Sequence, residues 1–209
     1  GLDDPVLVRY ARWVGDFVQG DWGTSYSYSL PVKDMVLEKL PATATLVLLG
    51  FAITVAASFP IGIATAKRAG GKLDRAITGF NQVCMSIPPV FVGILLCFVF
   101  GITLRVFVPG RFVTFGEDPG GFLLYMLFPA LAVALSRIAM TVKMLRSSIL
   151  DEMEKDYIRT AFSRGWTRVD ALKKHALRNA IIPVIAFLGV TAAELVAGSI
   201  VVEQVFAVP

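Results

Sequence analysis

The chain has 209 residues, of which 56% are hydrophobic, and its mean hydropathy of +0.68 is well above that of an ordinary soluble domain. Its formal net charge is +4, and its single histidine excludes a metal site built from several histidines. These values favour a membrane protein over a soluble domain, which would have to bury several wholly apolar helices in one small core.

The first 39 residues are polar and slightly acidic, with six acidic and four basic side chains. An amphipathic helix is predicted over residues 3–19, where apolar side chains including Tyr10 and Trp13 recur at helical spacing. Such a helix suits the outer membrane interface, although packing on the helix bundle is an equal alternative. A glycine turn is predicted at residues 20–25.

Four apolar stretches follow, each long enough to cross a hydrocarbon core of about 30 Å as a helix. They cover residues 40–66, 76–104, 120–143 and 180–202. The predicted fold is therefore all-α, a polytopic transmembrane helix bundle. It comprises an extracytoplasmic segment, residues 1–39, and a transmembrane domain, residues 40–209.

Two features inside these stretches are candidates for a substrate pathway. Ser86-Ile87-Pro88-Pro89 should break the second span, and irregular backbone at membrane depth must be sheltered by protein or line a cavity. Ser86 and Pro88 are therefore candidate pathway residues, with a purely structural kink as the alternative. Glu194 is the only acid within an apolar span, so it should face a cavity or pair with a donor of a partner subunit.

The basic residues define the predicted orientation. Residues 67–75 hold four basic side chains against one acid, and residues 137–178 hold ten against five. Because cytoplasmic loops are enriched in Lys and Arg, both loops are expected to be cytoplasmic and residues 1–39 to lie on the other side. The net charge is thus explained by topology, without nucleic-acid binding.

The cytoplasmic loop 150–179 is predicted to contain two short helices. The first runs from Asp156 to Arg164, and Gly165 suits the left-handed position that ends a helix. Thr167 and Asp170 then form a variant of the capping box, which starts the second helix. A connecting loop this long and this regularly patterned is expected to bind another protein.

This loop resembles the coupling loop of binding-protein-dependent ABC importer permeases. Their Glu-Ala-Ala-x3-Gly pattern corresponds here to Arg159-Thr160-Ala161, three residues, and Gly165. The sequence HALRNAIIP at 175–183 departs from the general family and, like DYIRTA at 156–161, is similar to the dipeptide, oligopeptide and nickel branch. The sequence GDWGTS at 20–25 resembles a second motif of peptide permeases.

The resemblance implies a permease subunit of an ATP-driven importer for di- or oligopeptides, with nickel or another small solute as the alternative. It implies a bacterial inner-membrane location, a homologous second permease, two ABC ATPase subunits and an extracytoplasmic substrate-binding protein. It also implies that the chain, surrounded by membrane lipid, is the middle of a longer permease that has one more span at each end. The residues expected to dock on the ATPase are Tyr157, Arg159, Ala161, Phe162, Arg164 and Gly165.

No catalytic residue and no metal site is predicted, and the chain has no phosphate-binding loop of the Gly-x4-Gly-Lys-Ser/Thr type. ATP and Mg²⁺ would therefore be used by the partner ATPases, and the chain itself would bind no cofactor. Two other classes remain as alternatives. One is a secondary transporter or channel that needs no ATPase, and the other is a membrane-anchored regulator that binds DNA through residues 157–178.

Overall fold

The computed structural model of the chain describes residues 4–209, so the first residue of the predicted helix 3–19 lies outside the described part. The chain divides into two units, with the boundary between Ala44 and Thr45. Each unit is helical, which confirms the predicted all-α fold.

The first unit contains helix α1, Val6–Val18, and the start of helix α2, Val32–Lys67. All residues of α1 are described, and none of them is buried. Four aromatic rings contact one another in sequence along and beyond its apolar side, with neighbouring centroids 5.4–6.2 Å apart: Tyr10, Trp13, Phe17 and Trp22. The chain then turns at Gly20, whose φ of +91° favours glycine, and the Gly23 N–H donates to the Asp21 carboxylate at 2.9 Å.

The second unit is built around helix α5, Pro119–Met153, and helix α8, Leu177–Phe206. These helices are antiparallel, since the Tyr125 hydroxyl donates to the Phe206 carbonyl at one end and the Ser148 hydroxyl to the Ala180 carbonyl at the other. The part of helix α2 that belongs to the second unit runs parallel to α5 at close range, because Gly50 lies beside Val133 and Gly62 lies beside Leu145. A Cβ added at Gly62 would lie 3.0 Å from the Leu145 side chain, so glycine permits this approach.

The predicted break in the second span is present. Helix α3, Lys72–Ser86, ends before Pro88, and helix α4, Pro89–Leu96, continues through a π-helical segment, Cys97–Thr103. The two halves are bent by 95°. The cause is local, because Pro89 has no N–H to donate and Pro88 holds an extended conformation before it.

Helix α5 continues well past Arg137 and ends at Met153. Lys155 is extended, and helix α6, Asp156–Ser163, starts after it. Helix α7, Arg168–Ala171, passes through a π-helical segment, Leu172–Ala176, directly into α8. The second helix of the loop and the last apolar helix are thus one helical run.

Three helices of the described chain are long and apolar enough to cross a membrane: Val32–Lys67, Pro119–Met153 and Arg168–Phe206. The bent pair of α3 with α4 and its π-helical extension would be a fourth. Each long helix extends beyond the apolar stretch that predicted it, because polar residues at helix ends continue the backbone hydrogen bonding outside an apolar run.

Candidate functional site

The predicted docking loop forms a helical hairpin, defined here as residues 156–176. Its core is small and apolar, with Ile158 of α6 buried against Ala171 and Ala176. Met153 and Trp166 pack around these residues. The hairpin therefore has its own hydrophobic contacts and is more than an extended connection between two helices.

The turn of the hairpin is fixed by backbone hydrogen bonds. The Gly165 N–H donates to the Phe162 carbonyl at 2.9 Å, and the Trp166 N–H donates to the Ala161 carbonyl at 3.2 Å. This pair of bonds is the Schellman arrangement that ends a helix, and it requires the left-handed residue. Gly165 supplies that residue, with φ of +85°.

The second helix of the hairpin starts as predicted. The Thr167 hydroxyl oxygen accepts the Asp170 N–H at 3.2 Å, and the Thr167 hydroxyl donates to the Asp170 carboxylate at 2.6 Å. Next to this cap, Lys174 lies 4.7 Å from the centre of the Trp166 ring, and His175 meets the same ring edge-on. These contacts hold Trp166 against the start of the second helix.

A surface cavity of about 350 Å³ opens between the two arms of the hairpin. Three of the six predicted docking residues line it: Tyr157, Ala161 and Arg164. Arg159 instead pairs with Asp156 at 3.5 Å in a fully exposed position, and Phe162 is 40% exposed on the hairpin surface. Thr160, Trp166 and His175 complete the cavity and were not predicted from the sequence.

Tyr157 connects the hairpin to the helices that carry it. Its hydroxyl donates to the Glu152 carboxylate at 2.7 Å and accepts from the Asn179 amide at 3.2 Å. Burial is the main cause that raises the pKa of the Tyr157 hydroxyl, and the hydrogen bond to the Glu152 carboxylate raises it further. The protonated hydroxyl thus bridges the end of α5 and the start of α8.

The predicted pathway residues do not form one cluster. Ser86 and Pro88 flank the break between α3 and α4, and the Ser86 hydroxyl donates a hydrogen bond to the Gln82 carbonyl at 2.9 Å. Glu194 lies near the middle of α8 and pairs with Arg137 near the middle of α5. Its donor therefore comes from this chain, whereas one of the two alternatives expected from the sequence was a donor of a partner subunit.

Arg137 lies inside helix α5, among apolar side chains, within the predicted span 120–143. Its side chain is 21% exposed and that of Glu194 is 45% exposed. The pair is therefore open on one side in the isolated chain. A lipid environment on that side would be costly for a charged pair.

A second ion pair joins α3 to α5 and was not foreseen. Arg146 binds both carboxylate oxygens of Asp74, with the Nε at 2.6 Å from Oδ1 and a terminal nitrogen at 2.7 Å from Oδ2. Asp74 is buried and also accepts the Gly70 N–H at 2.7 Å. The sequence feature that could have indicated this pair is that Asp74 is the one acid in the basic loop 67–75.

Residues 58–209 match the family model described as binding-protein-dependent transport system inner membrane component. The chain belongs to this family. It is thus a membrane permease subunit, and the resemblance to binding-protein-dependent importer permeases is confirmed.

Several curated permeases align with this family member along its whole length. It is 35% identical over 209 residues to a putative peptide transport system permease protein of Brucella abortus and 36% identical over 212 residues to the oligopeptide transport system permease protein AppB of Bacillus subtilis. In both cases the alignment covers all of this permease and 67% of the relative. It is 30% identical to the oligopeptide transport system permease protein OppB of Salmonella typhimurium, of which it covers 66%.

Proposed function

We propose that this permease forms, with a homologous second permease, the translocation pathway of an ATP-driven importer for di- and oligopeptides. The observation that carries the proposal is the packed hairpin 156–176 in a permease whose relatives are named for peptide, oligopeptide and dipeptide transport. The ATP and Mg²⁺ would be bound by two separate ATPase subunits. An extracytoplasmic binding protein would deliver the substrate.

The hairpin would dock on an ATPase subunit through its exposed apolar and cationic side chains. Tyr157 and Phe162 are each 40% exposed, and the cavity beside them is bordered by Arg164. Partly exposed aromatic and Arg side chains around a concave surface are typical of binding hot spots. Gly165, which offers no side chain, would let the partner approach the turn closely.

Movement of the docked hairpin would be transmitted directly to the membrane helices. The helical run Arg168–Phe206 has 39 residues, which at about 1.5 Å per residue is roughly 58 Å of continuous helix. The Tyr157 hydrogen bonds to Glu152 and Asn179 add a second connection. Closure of the ATPases on ATP would therefore tilt α8 against α5 and change the side from which the pathway is open.

The partly exposed pair of Arg137 and Glu194 suggests which side of this permease faces the pathway or the second permease. Charged side chains within membrane helices face a bundle interior or an aqueous cavity. The open side of this pair would therefore be covered by the partner permease or by water in the pathway. Glu194 keeps its candidate role as a pathway residue on this argument, together with Ser86 and Pro88 at the break.

Transport by the complete assembly tests the proposal. Both permeases, both ATPases and the binding protein are reconstituted in vesicles, and ATP-dependent uptake of labelled di- and oligopeptides is compared with uptake of nickel. Peptide uptake that requires ATP supports the proposal. Uptake of nickel but not of peptides would show that nickel is the substrate. Uptake without the ATPases would indicate a secondary transporter or channel.

The proposed orientation has its own test. Cys84 and Cys97 are replaced by alanine, and single cysteines are introduced as Ser163→Cys in the hairpin or Ser27→Cys in the first unit. In intact cells, an impermeant thiol reagent should label the second variant and leave the first unlabelled until the membrane is opened. The reverse pattern would contradict a cytoplasmic hairpin.

A further inference from the structure

Two adjoining cavities lie between α3, α5 and α8, away from the hairpin. The first, about 280 Å³, is lined mainly by apolar side chains: Met85, Met140, Met144 and Phe187. The second, about 210 Å³, is more polar and includes Asn81 and Gln82. Both are bordered by Met85, Lys143 and Ser147, so they form one groove, called here the Lys143 groove.

The groove contains one cationic side chain, that of Lys143, that is not paired with a carboxylate. Arg146 also borders the polar end, but its guanidinium is occupied by the two oxygens of Asp74. Lys143 is exposed and has no ion-pair partner among residues 4–209. An ammonium group beside neutral amide and apolar side chains attracts an anion, and a carboxylate is the natural complement.

The apolar part of the groove is suited to ligands of variable shape. Three of its four side chains are methionines, which are unbranched and polarisable and therefore adapt to different neighbours. Such surfaces are common where one site must bind many related ligands. A site with one fixed cation and an adaptable apolar wall matches molecules that share a carboxylate and differ in their side chains.

The apolar end of the groove lies next to the charged pair near the middle of the helices. Arg137 directs a guanidinium nitrogen to the Met140 sulfur at 3.9 Å, and Met140 lines the apolar end. On α5, residues 137, 140 and 144 are three or four positions apart, which puts them along one side of the helix. The groove therefore follows α5 from Met140 to Ser147, and its apolar end begins one helical turn from Arg137.

We propose that the Lys143 groove is a substrate site in which Lys143 binds the C-terminal carboxylate of a transported peptide. The methionine wall contacts the peptide side chains without selecting one of them. The occupant is the peptide itself, which is chosen over a lipid phosphate because the groove combines the cation with an adaptable apolar cavity. This inference rests on the proposed peptide importer and adds the group of the substrate that the permease recognises.

Protection of a cysteine in the groove tests the proposal directly. Ser147 is exposed and borders both cavities, so Ser147→Cys, with Cys84 and Cys97 replaced by alanine, is a small and well-placed reporter. The complex of both permeases and both ATPases is labelled with a maleimide without the binding protein. A tripeptide with a free carboxylate and its C-terminal amide are compared as protecting ligands.

The free-acid peptide is expected to slow labelling at about tenfold lower concentration than the amide, which is the size expected for loss of one hydrogen bond between charged groups. Adding Lys143→Met should abolish this difference, whereas Lys143→Arg should retain it. Equal protection by acid and amide, or none by either, would overturn the proposal. So would a labelling rate that follows the content of anionic lipid instead of the peptide.

Uptake in vesicles keeps this result separate from the proposed function. If the wild-type assembly imports peptides and the acid and amide protect equally, the Lys143 site is wrong and the peptide importer stands. If the assembly imports no peptide, the proposed function itself fails. Labelling of Ser147→Cys in the absence of peptide shows that each variant is assembled and its groove open.

Discussion

Arg137 and Glu194 pair across the interface of α5 and α8, near the middle of both helices. The sequence carries no other charge between Asp118 and Lys143 or between Arg178 and Glu203. The two isolated charges therefore meet each other because the antiparallel register brings them to the same level. That register is held on one side by Tyr125 with Phe206.

Removing one member of this pair should cost more than removing both. Glu194→Gln leaves the Arg137 guanidinium without its carboxylate among apolar turns, and we expect a loss of about 1–3 kcal/mol in the stability of the helix bundle. The double variant Arg137→Gln with Glu194→Gln should regain most of that loss. Thermal unfolding of the purified permease complex in detergent compares the wild type, the two single variants and the double variant.

The matched control is Glu154→Gln, which neutralises an exposed carboxylate just after α5 and should leave the unfolding temperature unchanged. The single changes Glu194→Gln and Arg137→Gln should be strongly non-additive, since each removes the same interaction. Simple addition of their effects in the double variant would show that the pair makes no net contribution.

The contact of Asp74 with Arg146 should be a stronger determinant of stability. Asp74 is 3% exposed and receives two hydrogen bonds from one guanidinium. Asp74→Asn keeps the size of the side chain but removes the charge, so we expect the free energy of unfolding to fall by about 2–3 kcal/mol. This is at or below the lower limit of the roughly 3–5 kcal/mol that breaking a buried pair costs, because Arg146 can still reach water.

Unfolding of the assembled permease by heat or denaturant checks this value, with Asp151→Asn as the control at an exposed position. If Asp74→Asn and Asp151→Asn unfold alike, the two hydrogen bonds do not stabilise α3 against α5 in the folded protein.

Local features were predictable from the sequence because their causes lie within a few residues. The turn at Gly165, the cap formed by Thr167 and the break before Pro88 each follow from the conformational limits of the residues involved. The apolar stretches likewise predicted the long helices, although the helices extend further than the stretches.

The long-range contacts could not be predicted in this way. Arg146 lies 72 residues from Asp74, and Arg137 lies 57 residues from Glu194. Which charge meets which depends on the register between helices, which is set by packing over the whole interface. The same reason explains why Lys143 was not identified as a site, since its groove is formed by side chains from three helices.

Substitutions at Gly165 can separate backbone strain from contact with a partner. A Cβ at this position meets no other atom within 4 Å, so Gly165→Ala adds only the strain of a left-handed residue, about 1–2 kcal/mol. Gly165→Leu has the same strain and a larger side chain. If the hairpin docks as proposed, co-purification with the ATPase subunits should fall further for leucine than for alanine.

Gly165→Asn is the control, because asparagine tolerates the left-handed region better than other non-glycine residues. It should retain more ATPase than the alanine variant. If the alanine and leucine variants retain equal amounts of the ATPase subunits, no partner approaches the turn closely, even if both retain less than the wild type.

The cap at Thr167 should stabilise the hairpin independently of any partner. Thr167→Ala removes the acceptor of the Asp170 N–H, and loss of such a cap costs about 1 kcal/mol. The start of the second helix should then open more often, which limited proteolysis after Arg164 or Arg168 would detect as faster cleavage. Thr167→Ser keeps the hydroxyl and should be cleaved at the wild-type rate.

The hydroxyl of Tyr125 connects two segments that are far apart in sequence. It donates to the Phe206 carbonyl at the end of α8 and accepts the Gly110 N–H at 3.1 Å. Tyr125→Phe leaves the buried Phe206 carbonyl without this donor and the exposed Gly110 N–H without this acceptor, so we expect a loss of about 1–3 kcal/mol, mainly from the buried carbonyl. Hydrogen exchange at Gly110 should accelerate, and the unfolding temperature of the complex should fall.

The contribution of the Tyr125 hydroxyl to stability can be measured separately from that of its ring. The Tyr125 ring meets Phe107 and Phe112 edge-on, with centroids 5.5 and 5.9 Å away, and phenylalanine preserves both contacts. Tyr125→Leu should therefore lose more stability than Tyr125→Phe, while Tyr26→Phe, at a fully exposed position, should lose none. If Tyr125→Phe unfolds like the wild type while Tyr125→Leu does not, only the ring stabilises this end of the bundle.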